Sequence, residues 1–347
     1  MGSRNRTGLS VMEVVVTILI LLVLAALLLP NVRRSREAAK RSQCKNRLKQ
    51  IGVALHNYHD LHNTFPPGWI AAETPANSSG FGWGFHILPF IDQAPLFKKF
   101  DSKQRLADAR SGNAELASTE LTVYRCASDE RVAQASSRSG ASLGSANYVA
   151  NFGVGIPATY SNTADSHGKL VDAKYLQGMF GPNSSVKIQD VKDGMSNVVL
   201  VGERRLLKES AEWPIGKEDG AFTSYWAGIP DINSVSPLAI VATATGGQVE
   251  LNGENDQLPT TGNLTAVTSP EERKSLPYFA INKNVRLGVP LSGANNDTVT
   301  AGYSSWHTGG CQMIFGDGSA RFISENIDST IYTNLMRRSD GATLGDF

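Results

Sequence analysis

Residues 9–29, LSVMEVVVTILILLVLAALLL, form one apolar run with a single acidic side chain, Glu13. About 20 such residues suffice to cross a bilayer as a helix, and an ionisable group inside a span costs about 2.5–3.5 kcal/mol near its centre. A carboxylate retained there needs a use. Pro30 ends the run, yet Leu48, Ile51, Leu55 and Tyr58 then recur at spacings of three and four, which is one stripe of an amphipathic helix. A helix from Ser10 to His62 would be roughly 80 Å long, too long for one small core to cover. Phe65-Pro66-Pro67-Gly68 forbids its continuation and opens a separate globular region.

Charge is near balance over the 347 residues, at +1, which excludes a global basic field for nucleic acid. It is uneven locally: Arg33 to Lys49 holds eight Lys or Arg against one acid, Glu37. By the positive-inside rule this flank would be cytoplasmic. The short leader before the run, MGSRNRTG, supplies only Arg4 and Arg6. The three cysteines, Cys44, Cys126 and Cys311, lack the paired short spacings of a zinc site, so no metal centre is expected. They leave two readings, a disulfide with Cys44–Cys126 as the favoured pair, tying the long helix to the globular region, or buried free thiols.

Beyond Trp69 the sequence reads as short strands between Gly, Ser, Asn and Pro clusters: residues 121–126, 147–152, 186–191, 197–201, 221–226, 312–315 and 320–323. The last two flank Gly316-Asp317-Gly318-Ser319, a hairpin signal, and a helix over 329–338 closes the chain. Residues 135–169 and 229–300, rich in small and polar side chains, read as long loop insertions.

Several blocks together carry a resemblance. They are Gly8 followed by Leu9-Ser10-Val11-Met12-Glu13, QCKNRLKQIGVALHNYHD (43–60), TFPPG (64–68), WGFHILPFIDQAPLF (83–97), YRCASD (124–129), ANYVANFG (146–153), DGMSNVVLVGER (193–204) and WHTGGCQMIFGDGSARFI (306–323). In combination the chain resembles the prepilin-like proteins of unknown function abundant in planctomycete bacteria. Those pair a prepilin-type cleavage and methylation segment with a solute-binding-protein-like uncharacterised domain and a C-terminal signature of His, nine residues, Asp-Gly. Here the signature is His307, Asp317 and Gly318. One departure is Leu9, where prepilins usually carry Phe.

The resemblance implies cleavage after Gly8 by a prepilin peptidase on the cytoplasmic side, methylation of the Leu9 amine, and an exported C-terminal domain, against the positive-inside count. It also implies a pilin-like α+β fold, the N-terminal helix a stalk on an antiparallel sheet. In a stack of parallel spanning helices, the ammonium of one mature N-terminus would pair with Glu13 of its neighbour and set axial register.

Other candidates favour bland readings. His56, His59, Asp60 and His62 crowd the end of the stalk, but three positions in seven residues of helix do not converge on one metal. His307 and Asp317 bracket a strand and need not meet. Gly140-Ala141-Ser142-Leu143-Gly144 matches G-x-S-x-G without the preceding apolar strand of a nucleophile elbow. The aromatics Trp69, Trp83, Phe85, Phe90, Trp213, Tyr225, Trp226 and Trp306 fit a core, or else a binding groove.

The expectation is therefore a leader (1–8), a transmembrane segment (9–29), an amphipathic stalk (30–63) and an exported β-rich domain (64–347). It is a non-enzymatic structural subunit of the inner membrane or of a surface filament, without cofactor. Its partners would be the prepilin peptidase/N-methyltransferase, other pilin-like subunits and membrane lipid, not nucleic acid. The alternative is a prepilin-anchored protein that binds a glycan or peptide.

Overall fold

The computed structural model describes residues 11–70, 80–106, 111–129, 134–136, 142–153, 177–181, 183–206, 226–228, 285–287, 297–299 and 303–342. Helix α1 (Val11–His62) runs 52 residues and passes Pro30 without a break. Its two ends live in different surroundings. From Val11 to Leu24 every side chain is exposed, whereas Cys44, Leu48, Ile51 and Leu55 are fully buried and Tyr58 packs on the edge of the core. Three- and four-residue steps put these on one face, so about three turns of α1 lie against the globular region. Among the described residues no helix is long and apolar enough to cross a membrane. Of the expected 9–29 segment, residues 9 and 10 and the side chains of 25–29 lie outside the description.

Three short helices follow, α2 (Trp83–His86), α3 (Ala94–Phe97) and α4 (Asn113–Ala117). Strands β1 (Gln134–Ser136) and β2 (Ser142–Gly144) pair with each other, as do β5 (Val285–Leu287) and β6 (Asp297–Val299). The central sheet is antiparallel in the order β3 (Tyr148–Ala150), β4 (Val199–Glu203), β7 (Gly310–Phe315), β8 (Ala320–Ser324). The architecture is α+β.

Strand alternation sends side chains to opposite faces. Tyr148, Ala150, Leu200, Ile314 and Ala320 face the core shared with α1. Val149, Val199, Cys311, Met313, Phe315 and Ile323 face a second cluster closed by Tyr332 and Leu335 of α5 (Ser329–Leu335) and by Met336 just after it. The sheet is thus covered on both sides. Gly52 of α1 sits where a Cβ would come within 2.8 Å of Ile314 Cδ1, so a side chain there would push helix from strand. Asp328 caps α5, its carboxylate accepting from the N–H groups of Thr330 and Ile331 at 2.8 and 3.1 Å.

Two expected strands are instead single 3-10 turns. Residues 121–126 close on themselves over Thr122–Tyr124, with Tyr124 N–H donating to Leu121 O and Arg125 N–H to Thr122 O. Residues 186–191 turn over Ile188–Asp190, where the Asp190 carboxylate takes the Lys187 N–H at 2.8 Å. An apolar run shows that a segment is buried, but not that a neighbouring strand is available to pair with it. The expected strand at 221–226 falls outside the described residues except for Trp226. The expected loop at 135–169 contains most of the β1–β2 hairpin and β3.

Candidate functional site

Because β4 and β7 are antiparallel, the last residue of β4 lies beside the first residues of β7. Glu203 therefore reaches the Gln312 N–H, which donates to its Oε2 at 2.9 Å. His307, just before β7, brings its ring to the same place: Nε2 stands 3.6 Å from Glu203 Oε1. From the other side α1 offers two residues one heptad apart, Glu37 and Cys44, hence on one face. His307 Nδ1 donates to Glu37 Oε1 at 2.8 Å, and His307 Nε2 lies 3.6 Å from Cys126 Sγ.

Cys44 and Cys126 form a disulfide with Cα atoms 5.2 Å apart. It holds α1 against the segment after the 3-10 turn at Thr122–Tyr124. Cys126 is fixed further by its N–H, which donates to Asn147 Oδ1 at 2.9 Å, while Asn147 Nδ2 donates to Asp129 Oδ2 at 2.7 Å. Cys311 is the buried free thiol and belongs to the α5 face of the sheet.

The cluster is closed to water except at one corner. His307 is 1% exposed and Glu203 2% by side chain, whereas Glu37 is 49% exposed. Burial works against a charged His307, but the carboxylates of Glu203 and Glu37 outweigh it and raise the imidazole above its ordinary value. The Sγ atoms of Cys44 and Cys126, a Glu203 oxygen and a His307 nitrogen all lie within 4.8 Å of one another. This donor set comes from four distant stretches of chain.

His307 does not meet the other members of its signature. The length of β7, about 20 Å for six residues, separates it from Asp317. Asp317-Gly318 makes the β7–β8 turn: Gly318 has φ +79° and its N–H donates to Phe315 O at 2.9 Å, and Asp317 Oδ1 takes the Ser319 N–H at 2.8 Å. A Cβ on Gly318 would face His56 Nε2 at 3.9 Å, so the turn rests on the stalk.

Gly8 and Leu9 lie outside the described residues; Glu13 stands in the first turn of α1. The stalk-end histidines scatter: His56 packs edge-on to Phe65, His62 lies against Tyr58, and His59 Nε2 takes the Ile188 N–H at 3.4 Å. Ser142 starts a strand and is exposed, which is no nucleophile elbow. Trp69, Trp83, Phe85 and Trp226 are core residues, Phe90 packs partly buried against them, Trp306 is exposed, and Trp213 and Tyr225 lie outside the described residues.

Sequence reasoning missed Glu37 and Glu203 as site residues. Each left a trace: Glu37 is the one acid in a basic stretch and seven residues before Cys44, and Glu203 ends an otherwise apolar strand.

A comparison with known protein families matches residues 33–330 to the family described as a protein of unknown function, DUF1559. The chain belongs to that family. Glu37, Cys44, Cys126, Glu203 and His307 all fall within the DUF1559 span, whereas Gly8, Leu9 and Glu13 precede it. No curated protein and no solved structure matches the chain.

Proposed function

We propose that this chain is a membrane-anchored, non-enzymatic type IV pilin-like or pseudopilin-like subunit of the bacterial cell envelope. It is cleaved after Gly8 by a prepilin peptidase, methylated on Leu9 and assembled through its N-terminal helix, with the globular domain exported. One observation carries the reading. Helix α1 buries its C-terminal turns in the domain and leaves Val11 to Leu24, almost wholly apolar, exposed. Large apolar side chains left in water cost about 1.5–3 kcal/mol each, so the segment calls for a cover such as lipid or neighbouring helices. The prepilin-like block at Gly8–Glu13 and the His307, Asp317, Gly318 signature support the same reading. Of the aromatics offered for a glycan or peptide groove, Trp69, Trp83, Phe85 and Trp226 serve the core, which leaves the anchored-binder alternative without support from those four.

The test is Glu13→Val in the native host. The variant should be processed to mature size and stay in the membrane fraction, yet be missing from sheared surface filaments viewed by immunogold labelling. Normal incorporation would end the proposal that Glu13 is the assembly contact.

A further inference from the structure

We propose that Cys44, Cys126, Glu203 and His307 form a tetrahedral site for a divalent transition metal of zinc type, taken up when the Cys44–Cys126 disulfide is reduced.

The argument is geometric. Zinc bonds of about 2.0–2.1 Å to nitrogen or oxygen and about 2.3 Å to sulfur imply ligand-to-ligand edges of roughly 3.3–3.8 Å in a tetrahedron. Two of the three edges not involving Cys44 fall in that range, Cys126 Sγ to His307 Nε2 and His307 Nε2 to Glu203 Oε1 at 3.6 Å each, and the third, Cys126 Sγ to Glu203 Oε1, is slightly longer at 3.9 Å. Neither contact of Glu203 Oε1 is a hydrogen bond: 3.6 Å is too long for N–H···O, and a disulfide sulfur has no proton to give. Glu203 Oε1 instead faces the His307 ring as an electrostatic neighbour at 3.6 Å, and a metal cation set between the two would be held by both. Glu37 supplies the outer partner such sites use. By accepting from Nδ1 it holds a proton there, so that once Nε2 gives up its own proton to solvent the Nε2 lone pair is the one turned toward the sulfurs and Glu203.

The covalent step balances with an external dithiol as reductant. The dithiol gives up two electrons and two protons, becomes a disulfide, and leaves two cysteine thiols. Metal binding then releases both thiol protons to solvent, and the two sulfurs separate to about 3.8 Å, one tetrahedral edge. Either way α1 stays fastened to the domain, by a covalent bond when oxidised and by metal when reduced.

The test uses the full chain in detergent, with cobalt(II) as probe. After reduction by a small dithiol and removal of excess reductant, the protein should bind one cobalt per chain with a thiolate-to-cobalt charge-transfer band, displaced by zinc. The oxidised protein should show no band. Cys126→Ser should abolish it, and Glu203→Gln and His307→Ala should weaken cobalt binding by at least 100-fold, with folding checked by circular dichroism of the oxidised forms. Should those two not fold, Glu37→Gln decides: half-exposed and not a ligand, it should weaken binding about 10–100-fold while the fold persists. Free thiols without cobalt uptake would overturn the proposal. So would a band indifferent to these substitutions.

Discussion

At the residue scale, burial sets what each histidine can do. Among the described residues no acid offsets the burial of His86: its Nε2 is buried without a hydrogen-bond partner there, and burial, with His62 nearby, lowers its pKa from 6.5 to about 4. The folded state therefore holds His86 neutral where the unfolded chain would protonate it. Its stability contribution is whole above pH 6.5 and shrinks by about 3 kcal/mol as pH falls to 4, below which it is constant. Urea midpoints at pH 7 and pH 4.5 should move further apart in the wild type than in His86→Phe; equal spacing would refute this. His307 is the reverse case, raised by the charges of Glu203 and Glu37 despite its burial. The sequence showed both histidines but not their neighbours, which come from elsewhere in the chain.

At the element scale, the β7–β8 hairpin and α1 were readable because their signals are local. Asp317-Gly318 sits in a turn whose φ at Gly318 is +79°, a region that costs an L side chain about 1–2 kcal/mol. Gly318→Val should lower thermal stability by that amount without changing the oligomeric state, and an unchanged melting temperature would disprove the turn argument. The stripe Leu48, Ile51, Leu55 likewise announced the buried face of α1, since helical spacing alone brings those positions together. Residues 121–126 and 186–191 were misread as strands because their apolar side chains serve the core from 3-10 turns whose hydrogen bonds close within the segment.

At the scale of the whole molecule, the Cys44–Cys126 bond joins a long helix to the domain across a separation of 82 residues. Loop-closure entropy makes such a link worth about 4.5 kcal/mol. Reduction with metal chelated should lower the unfolding free energy by about that much, and zinc added to the reduced protein should restore most of it. Equal denaturant midpoints for oxidised and reduced, metal-free protein would contradict the first expectation. What the sequence by itself determined was the amphipathic stalk and the β7–β8 turn, because periodicity and turn chemistry act over a few residues; the α+β architecture was implied by the family resemblance. Only the tertiary structure decided that Glu37, Cys44, Cys126, Glu203 and His307 converge. Their contact depends on α1 crossing the sheet where the end of β4 meets the start of β7, and no local spacing encodes a packing made by segments up to 270 residues apart.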